Sequence, residues 1–114
     1  PNLATALRRA IADSAKSPIV HTDALTGEFT RRLAPVVHIA PGFGGDDPAA
    51  ALATAIRITG PRRLTIVPVS AGFPSPAGLP DRGALLTLDG SPPLKFSTPA
   101  ELTSWLQDHF HPQG

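Results

Sequence analysis

The chain has 114 residues, of which 41% are hydrophobic, and its formal net charge is +1. This length fits one domain with a buried core, and the balanced charge gives no electrostatic signature for nucleic acid or for an anionic membrane surface. The chain has no cysteine, which excludes disulfides, thiolate catalysis and cysteine-ligated metal sites. It contains neither a run of roughly 18 apolar residues nor a signal-peptide pattern.

The first third of the chain predicts a helix, a short strand and a second helix. Asn2 can cap a first helix that runs to about Ala15, because leucine, alanine and isoleucine recur there at helical spacing. Residues 19–21 are a strand candidate. A second helix is predicted over 22–33, where apolar side chains recur every four positions.

The middle of the chain predicts a strand, a glycine-rich loop and a helix. Residues 36–39 are almost continuously apolar, which is typical of a strand covered by helices on both faces. The loop 40–47 follows. Asp46 or Asp47 can cap the next helix, Pro48 suits its first position, and a Gly-Pro pair ends it.

Residues 64–69 predict a third strand. Proline cannot donate a hydrogen bond to a ladder, so Pro68 should lie at the end of this strand or on its unpaired side. The segment 70–82 is rich in proline and glycine and lacks periodicity. It is long enough for a functional loop.

The last part predicts a hairpin and a final helix. Residues 84–88 and 94–96 are strand candidates on either side of an Asp-Gly turn. The capping box at 98–101 then opens a helix that carries Trp105 on its apolar face.

This order of elements resembles the thioredoxin fold, and short stretches of sequence add to the likeness. They are 19–23, 35–41, Leu79-Pro80 before 84–88, and 99–106. The resemblance implies an α/β thioredoxin-like domain over 1–114. Its mixed sheet would have about five strands, in the order β-α-β-α-β-β-β-α, with the first strands parallel and helices on both faces. Residues 1–17 would be an extra N-terminal helical extension, and 111–114 a tail.

The chain departs from that family where the family keeps its chemistry. The family carries Cys-x-x-Cys at the start of the helix that follows the second strand, whereas this chain has residues 42–47 there. Thioredoxin chemistry needs a stabilised thiolate, so thiol redox chemistry is excluded. The family's cis-proline would correspond to Pro80.

Other chemistry has weak support. The loop 42–47 has the glycines of a phosphate cradle but lacks the P-loop Lys-Ser/Thr, and its two aspartates would repel an anion. The four histidines have no obvious carboxylate partner for a metal site. We therefore expect no catalytic residue, no metal and no cofactor.

A binding surface has more support, because aromatic side chains beside acidic ones suit an extended basic or apolar peptide. Two loops that the resemblance places at one end of the sheet carry such residues. Phe43 and Phe73 can be exposed there, and the alternative is that one or both pack into the core. The candidate partner-binding residues are Phe43, Gly44, Asp46, Asp47, Phe73, Pro80 and Asp81.

We therefore expect a non-catalytic protein-binding module, a chaperone or assembly factor, with a protein or peptide partner, no nucleic acid and no membrane. The architecture is similar to that of hydrogenase accessory proteins of the HyaE/HupG type. Two alternatives remain open: a structural subunit or interaction domain of a larger complex, and a small-molecule enzyme or binder that uses the loop 42–47. The partner and the oligomeric state do not follow from the sequence. We favour a cytoplasmic location, and we expect further residues upstream of Pro1 because the chain does not begin with methionine.

Overall fold

The structure, a computed structural model, describes residues 3–12, 20–21, 35–59, 64–69, 75–88 and 90–109. The helix predicted over 22–33 and the residue Phe73 lie outside these ranges, as do the ends of the predicted first helix and the tail. No helix within the ranges has the length and apolar character that a membrane span requires.

The centre of the molecule is one open mixed sheet. It has four regular strands where about five were expected, and a two-residue segment, β1, extends one edge. The sheet order is β1-β3-β2-β4-β5. The strands are β1 (Val20–His21), β2 (Val36–Ile39), β3 (Thr65–Pro68), β4 (Ala84–Thr87) and β5 (Leu94–Phe96).

Strand directions agree with the sequence in all but one place. β2 and β3 are parallel, and β4 pairs antiparallel with both β2 and β5, so the closing hairpin forms as predicted. β1, however, pairs antiparallel with β3, and the expectation that the first three strands are parallel is wrong. That expectation rested on crossovers between strands of ordinary length. β1 contributes only two residue pairs, and so short a ladder imposes little on chain direction.

Three helices are described: α1 (Leu3–Ala12), α2 (Pro48–Thr59) and α3 (Pro99–His109). α2 begins at the predicted proline. At the start of α3, Oε1 of Glu101 accepts hydrogen bonds from the backbone N–H groups of Ser97 and Thr98, at 3.0 and 3.1 Å. The N–H of Glu101 donates in return to the Thr98 hydroxyl at 3.3 Å. The predicted capping box is confirmed.

All three described helices pack on the same face of the sheet. A single cluster of buried side chains joins this face to the helices. α1 contributes Leu7 to it, and α2 packs between α1 and α3. The register places the sheet members of the cluster on one face. They are Val37, Ile39, Ile66, Ala84, Leu86 and Phe96.

Pro68 is the last residue of β3 and lies opposite Ile39 in the parallel ladder. β1 pairs only with Thr65 and Ile66, so Pro68 lies beyond that ladder. The next residue, Val69, donates its N–H to the Ile39 carbonyl at 2.9 Å and carries the pairing past the proline. The predicted position at the end of the strand is confirmed.

The second face of the sheet carries His38 at its centre. The side chain is half-buried, and its neighbours across the two ladders are Val67 and Leu85. Its Nδ1 atom has no hydrogen-bond partner among the described residues. Burial lowers the pKa of His38 from its ordinary value, because an apolar setting disfavours the charged imidazolium.

His38 should make folding less favourable in acid. The unfolded chain takes up a proton near pH 6.5, whereas the folded chain takes it up only at lower pH. The free energy of unfolding should therefore fall as pH decreases through 6.5, with no contribution from His38 above that pH. Chemical denaturation of the parent and of His38→Gln between pH 8 and 5 measures this. The variant keeps the other three histidines, so the difference between the two proteins reports on His38 alone. If the free energy of unfolding changes with pH equally in the two proteins, the prediction is contradicted.

Candidate functional site

The loop between β2 and α2 is a series of tight turns. The N–H of Phe43 donates to the Ala40 carbonyl at 3.1 Å, and the N–H of Gly45 donates to that of Gly42 at 2.9 Å. Gly42, Gly44 and Gly45 all have positive φ, between 70° and 85°. Residues with a Cβ rarely adopt this conformation, so the glycines determine the path of the loop.

Phe43 is buried, with 1% of its surface exposed, and belongs to the core cluster together with Ile39 and Leu52. The alternative that this phenylalanine packs into the core is therefore the one that the structure shows. The glycines on either side turn the chain so that the ring enters the apolar layer, where its burial is favourable. Phe43 supports the start of α2 from within.

The Asp47 side chain makes contacts that stabilise the fold. Its carboxylate accepts hydrogen bonds from the backbone N–H groups of Ala49 and Ala50, as the N-cap of α2. It also forms a two-point ion pair with Arg8 of α1, at 2.9 and 3.3 Å. The hydrogen bond from Arg8, followed by its charge and the backbone donors, lowers the pKa of Asp47. The predicted capping role is confirmed; this carboxylate joins two helices.

Gly44 also has a structural role. A Cβ on this residue would stand 2.9 Å from the Cα of Pro48, at the first position of α2. Asp46 is exposed. Four predicted partner-binding residues precede α2. Phe43 packs in the core, and Gly44 and Asp47 contact the start of α2, whereas Asp46 makes neither kind of contact among the described residues.

The loop 75–82 approaches the loop 41–47, as the resemblance implied. The N–H of Ala40 donates to the Gly83 carbonyl at 2.9 Å, and the Arg82 side chain lies over Gly42, with Nε 2.9 Å from where a Cβ would stand. Pro80 is half-buried and Asp81 is exposed. No peptide bond in the described part of the chain is cis, so the cis-proline implied for Pro80 is not found.

A pocket of 220 Å³ lies behind the loop, at the carboxyl ends of β2 and β3. The described side chains that line it are apolar, among them Ile11, Phe43 and Val69. Acid–base or nucleophilic catalysis needs a titratable or nucleophilic side chain, and this lining offers none. Within the described ranges no three histidine or carboxylate side chains are close enough to share a metal ion.

A different surface is open, at the edge of the sheet where α3 packs beside β5. We call Leu94, Trp105, His109 and the residues that line the pockets around them the Trp105 surface. The His109 ring is stacked on the indole of Trp105, with centroids 4.1 Å apart and planes at 14°. The Phe96 ring lies 6.4 Å from the indole and is tilted by 58°.

His109 also holds the backbone of the same helix. Its Nδ1 lies 2.8 Å from the Trp105 carbonyl oxygen. A carbonyl can only accept, so Nδ1 carries the hydrogen. The indole thus contacts the rings of both Phe96 and His109 while part of its surface stays accessible.

Two pockets meet at Trp105. One, of 360 Å³, lies towards the hairpin turn, and its lining includes Leu88, Pro92 and Leu94. The other is a shallow pocket, largely open to solvent, that lies along α3 and is more polar, with Lys95, Glu101 and Asp108 in its lining. Leu94 is 36% exposed, and it is the large apolar side chain that the described residues leave exposed.

The residues of this surface were not among the predicted partner-binding residues, although the sequence contains a signal for them. Trp105 and His109 are four residues apart and therefore neighbours on one side of a helix. The hairpin places Leu94 and Phe96 on one face of the edge strand. Their meeting depends on how α3 packs back beside β5, which the spacing of residues within either element does not determine.

Phe43→Ala should lower the free energy of unfolding by about 3–5 kcal/mol, because it leaves a cavity in the core cluster. Urea denaturation followed by circular dichroism measures this loss. A change of less than about 1 kcal/mol would show that Phe43 does not lie in the core.

Gly44 and Gly45 offer a matched pair. Gly45→Ala should cost about 1 kcal/mol, because φ is positive but the space around the new Cβ is open. Gly44→Ala should cost about 1–3 kcal/mol more, because its Cβ would also clash with the Pro48 backbone. Thermal or urea unfolding of the two variants gives the difference. Equal losses would mean that the loop does not approach α2 this closely.

We compared the chain with protein families, curated proteins and solved structures. No protein-family model, no curated protein and no solved structure matches this chain. The functional argument therefore rests on the geometry of the loop 41–47 and of the Trp105 surface.

Proposed function

We propose that this chain is a non-catalytic, cysteine-less thioredoxin-like module that binds another protein, as a chaperone or assembly factor, through the Trp105 surface. The observation that carries the proposal is the exposed Leu94 beside a tryptophan that two pockets share. Partner-binding energy concentrates on aromatic and aliphatic anchors of this kind.

The fixed indole supports this assignment. A side chain that is held in place before binding loses less rotamer freedom when a partner arrives. Trp105 is held by contacts with two rings, and the Nδ1 hydrogen bond holds the His109 ring against it. An indole kept in place at the surface, with one apolar and one more polar pocket beside it, is suited to receive side chains from a partner.

The thioredoxin-like part of the proposal has support from the element order. The described elements follow the expected β-α-β-β-β-α order from β2 onward if β1 is set aside: β2, α2, β3, β4, β5 and α3. The parallel β2–β3 pair and the antiparallel hairpin agree with it. The antiparallel β1 is a departure.

Features of the edge strand favour side-chain recognition over the addition of a partner strand. β5 has only three residues, two prolines precede it, and Lys95 is its central residue. Short length, proline and lysine are the usual means by which edge strands avoid pairing with another chain. The partner should therefore place side chains in the two pockets rather than extend the sheet.

The experiment is a selection from a phage-displayed library of random dodecapeptides, with the intact chain immobilised. Trp105 is the single tryptophan of the chain, so its intrinsic fluorescence reports binding of selected peptides that lack tryptophan. We expect selected peptides to change this fluorescence. Leu94→Asp should weaken them about tenfold or more, which is the usual loss when an interface anchor is removed.

Thr5→Asp is the matched control, because Thr5 is exposed on α1 and an acidic residue in a first helical turn is compatible with the helix dipole. It should bind the selected peptides as the parent does. Failure to select any peptide that binds the parent would overturn the proposed function. If the selected peptides bind Leu94→Asp and the parent equally well, the Trp105 surface is not the binding site.

A further inference from the structure

We infer that the Trp105 surface recognises a peptide in which an apolar side chain lies next to a lysine or arginine. The inference rests on the proposed function and specifies the class of partner. It comes from the different chemistry of the two pockets that meet at Trp105.

The pocket towards the hairpin suits an apolar side chain. Leu86, Leu88, Pro92 and Leu94 supply aliphatic surface to it, and Trp105 is the aromatic wall. At 360 Å³ it has room for a leucine, isoleucine or phenylalanine side chain. Burying such a side chain contributes a favourable free energy in proportion to the apolar area removed from water.

The pocket along α3 suits a cation. Two carboxylates, Glu101 and Asp108, line it with one ammonium group, Lys95. One oxygen of Glu101 is already bonded to the backbone at the start of α3. The Lys95 side chain leans towards Gly78, with Cε 3.4 Å from the position of a Cβ there. Asp108 is exposed and is therefore the carboxylate that we assign to the incoming charge.

Because Trp105 lines both pockets, the apolar and the basic side chain must be close together in the peptide. Side chains two residues apart in an extended chain are roughly 6–7 Å apart and point to the same side, so one short segment can place a side chain in each of two adjoining pockets. The recognised pattern is an apolar residue and a lysine or arginine within about two positions of each other.

The test repeats the random dodecapeptide selection with three proteins: the parent, Asp108→Lys and Ala12→Lys. Ala12 is exposed at the last position of α1, and its replacement adds positive charge away from α3. We expect the parent and Ala12→Lys to enrich peptides with an apolar residue near a lysine or arginine. Asp108→Lys should lose the basic residue and enrich aspartate or glutamate in its place.

Synthetic peptides give the size of the effect by Trp105 fluorescence. An arginine peptide selected on the parent should bind Asp108→Lys at least about fivefold more weakly than it binds the parent. It should bind Ala12→Lys within about twofold of the parent. When glutamate replaces the arginine of that peptide, the peptide should bind Asp108→Lys more tightly than it binds the parent.

The outcomes separate the two proposals. Peptides that bind the parent but show no basic residue, or that bind Asp108→Lys unchanged, would overturn this inference and leave the proposed function standing. A parent that selects no peptide would overturn both. If Asp108→Lys loses all peptide binding, circular dichroism shows whether the variant is folded. A folded variant that selects no acidic peptides contradicts the inference.

If the variant is unfolded, Asp108→Asn is tested in its place. An Asp108→Asn protein that keeps the parent's affinity for the arginine peptide also contradicts the inference.

Discussion

One apolar layer between the helical face of the sheet and the three described helices organises this molecule. Leu7, Leu52, Leu102 and Leu106 of the helices meet the inward-facing residues of the strands in a single cluster. Such packing is the main favourable contribution to folding, and its density leaves little freedom for rearrangement. Phe43 takes part in the same cluster although it lies in a loop. The layer thus extends past the ends of the strands and fixes the loop where an active site would otherwise be expected.

The elements that local chemistry determines were predictable. α2 and α3 begin where a capping residue and a proline coincide, and their bounds agree with the sequence within a residue or two. The strands β2 to β5 follow short apolar runs between turn residues. Each of these patterns involves neighbours in the chain, so the physical cause is visible in the sequence itself.

The candidate site was not predictable in the same way. A phenylalanine between glycines indicates an exposed loop, and its burial depends on three backbone torsions that the sequence permits but does not dictate. Asp47 could be recognised as a cap, but its ion pair with Arg8 joins residues 39 positions apart. The Trp105 surface likewise needs the hairpin and α3 to meet. The predicted direction of β1 was wrong for a related reason, since only two residue pairs define its pairing with β3.

The position of Leu7 changes the status of the N-terminal helix. The sequence predicts α1 as an extension of the domain, yet Leu7 is fully buried and α1 packs along α2. The ion pair between Arg8 and Asp47 is exposed at both ends and is therefore weakened by salt, whereas apolar burial is not screened. A truncated chain that began after Ala12 would uncover the apolar side of α2 and would be prone to self-association through it. The first helix is therefore an integral part of the folding unit, and any shortened form of the domain has to retain it.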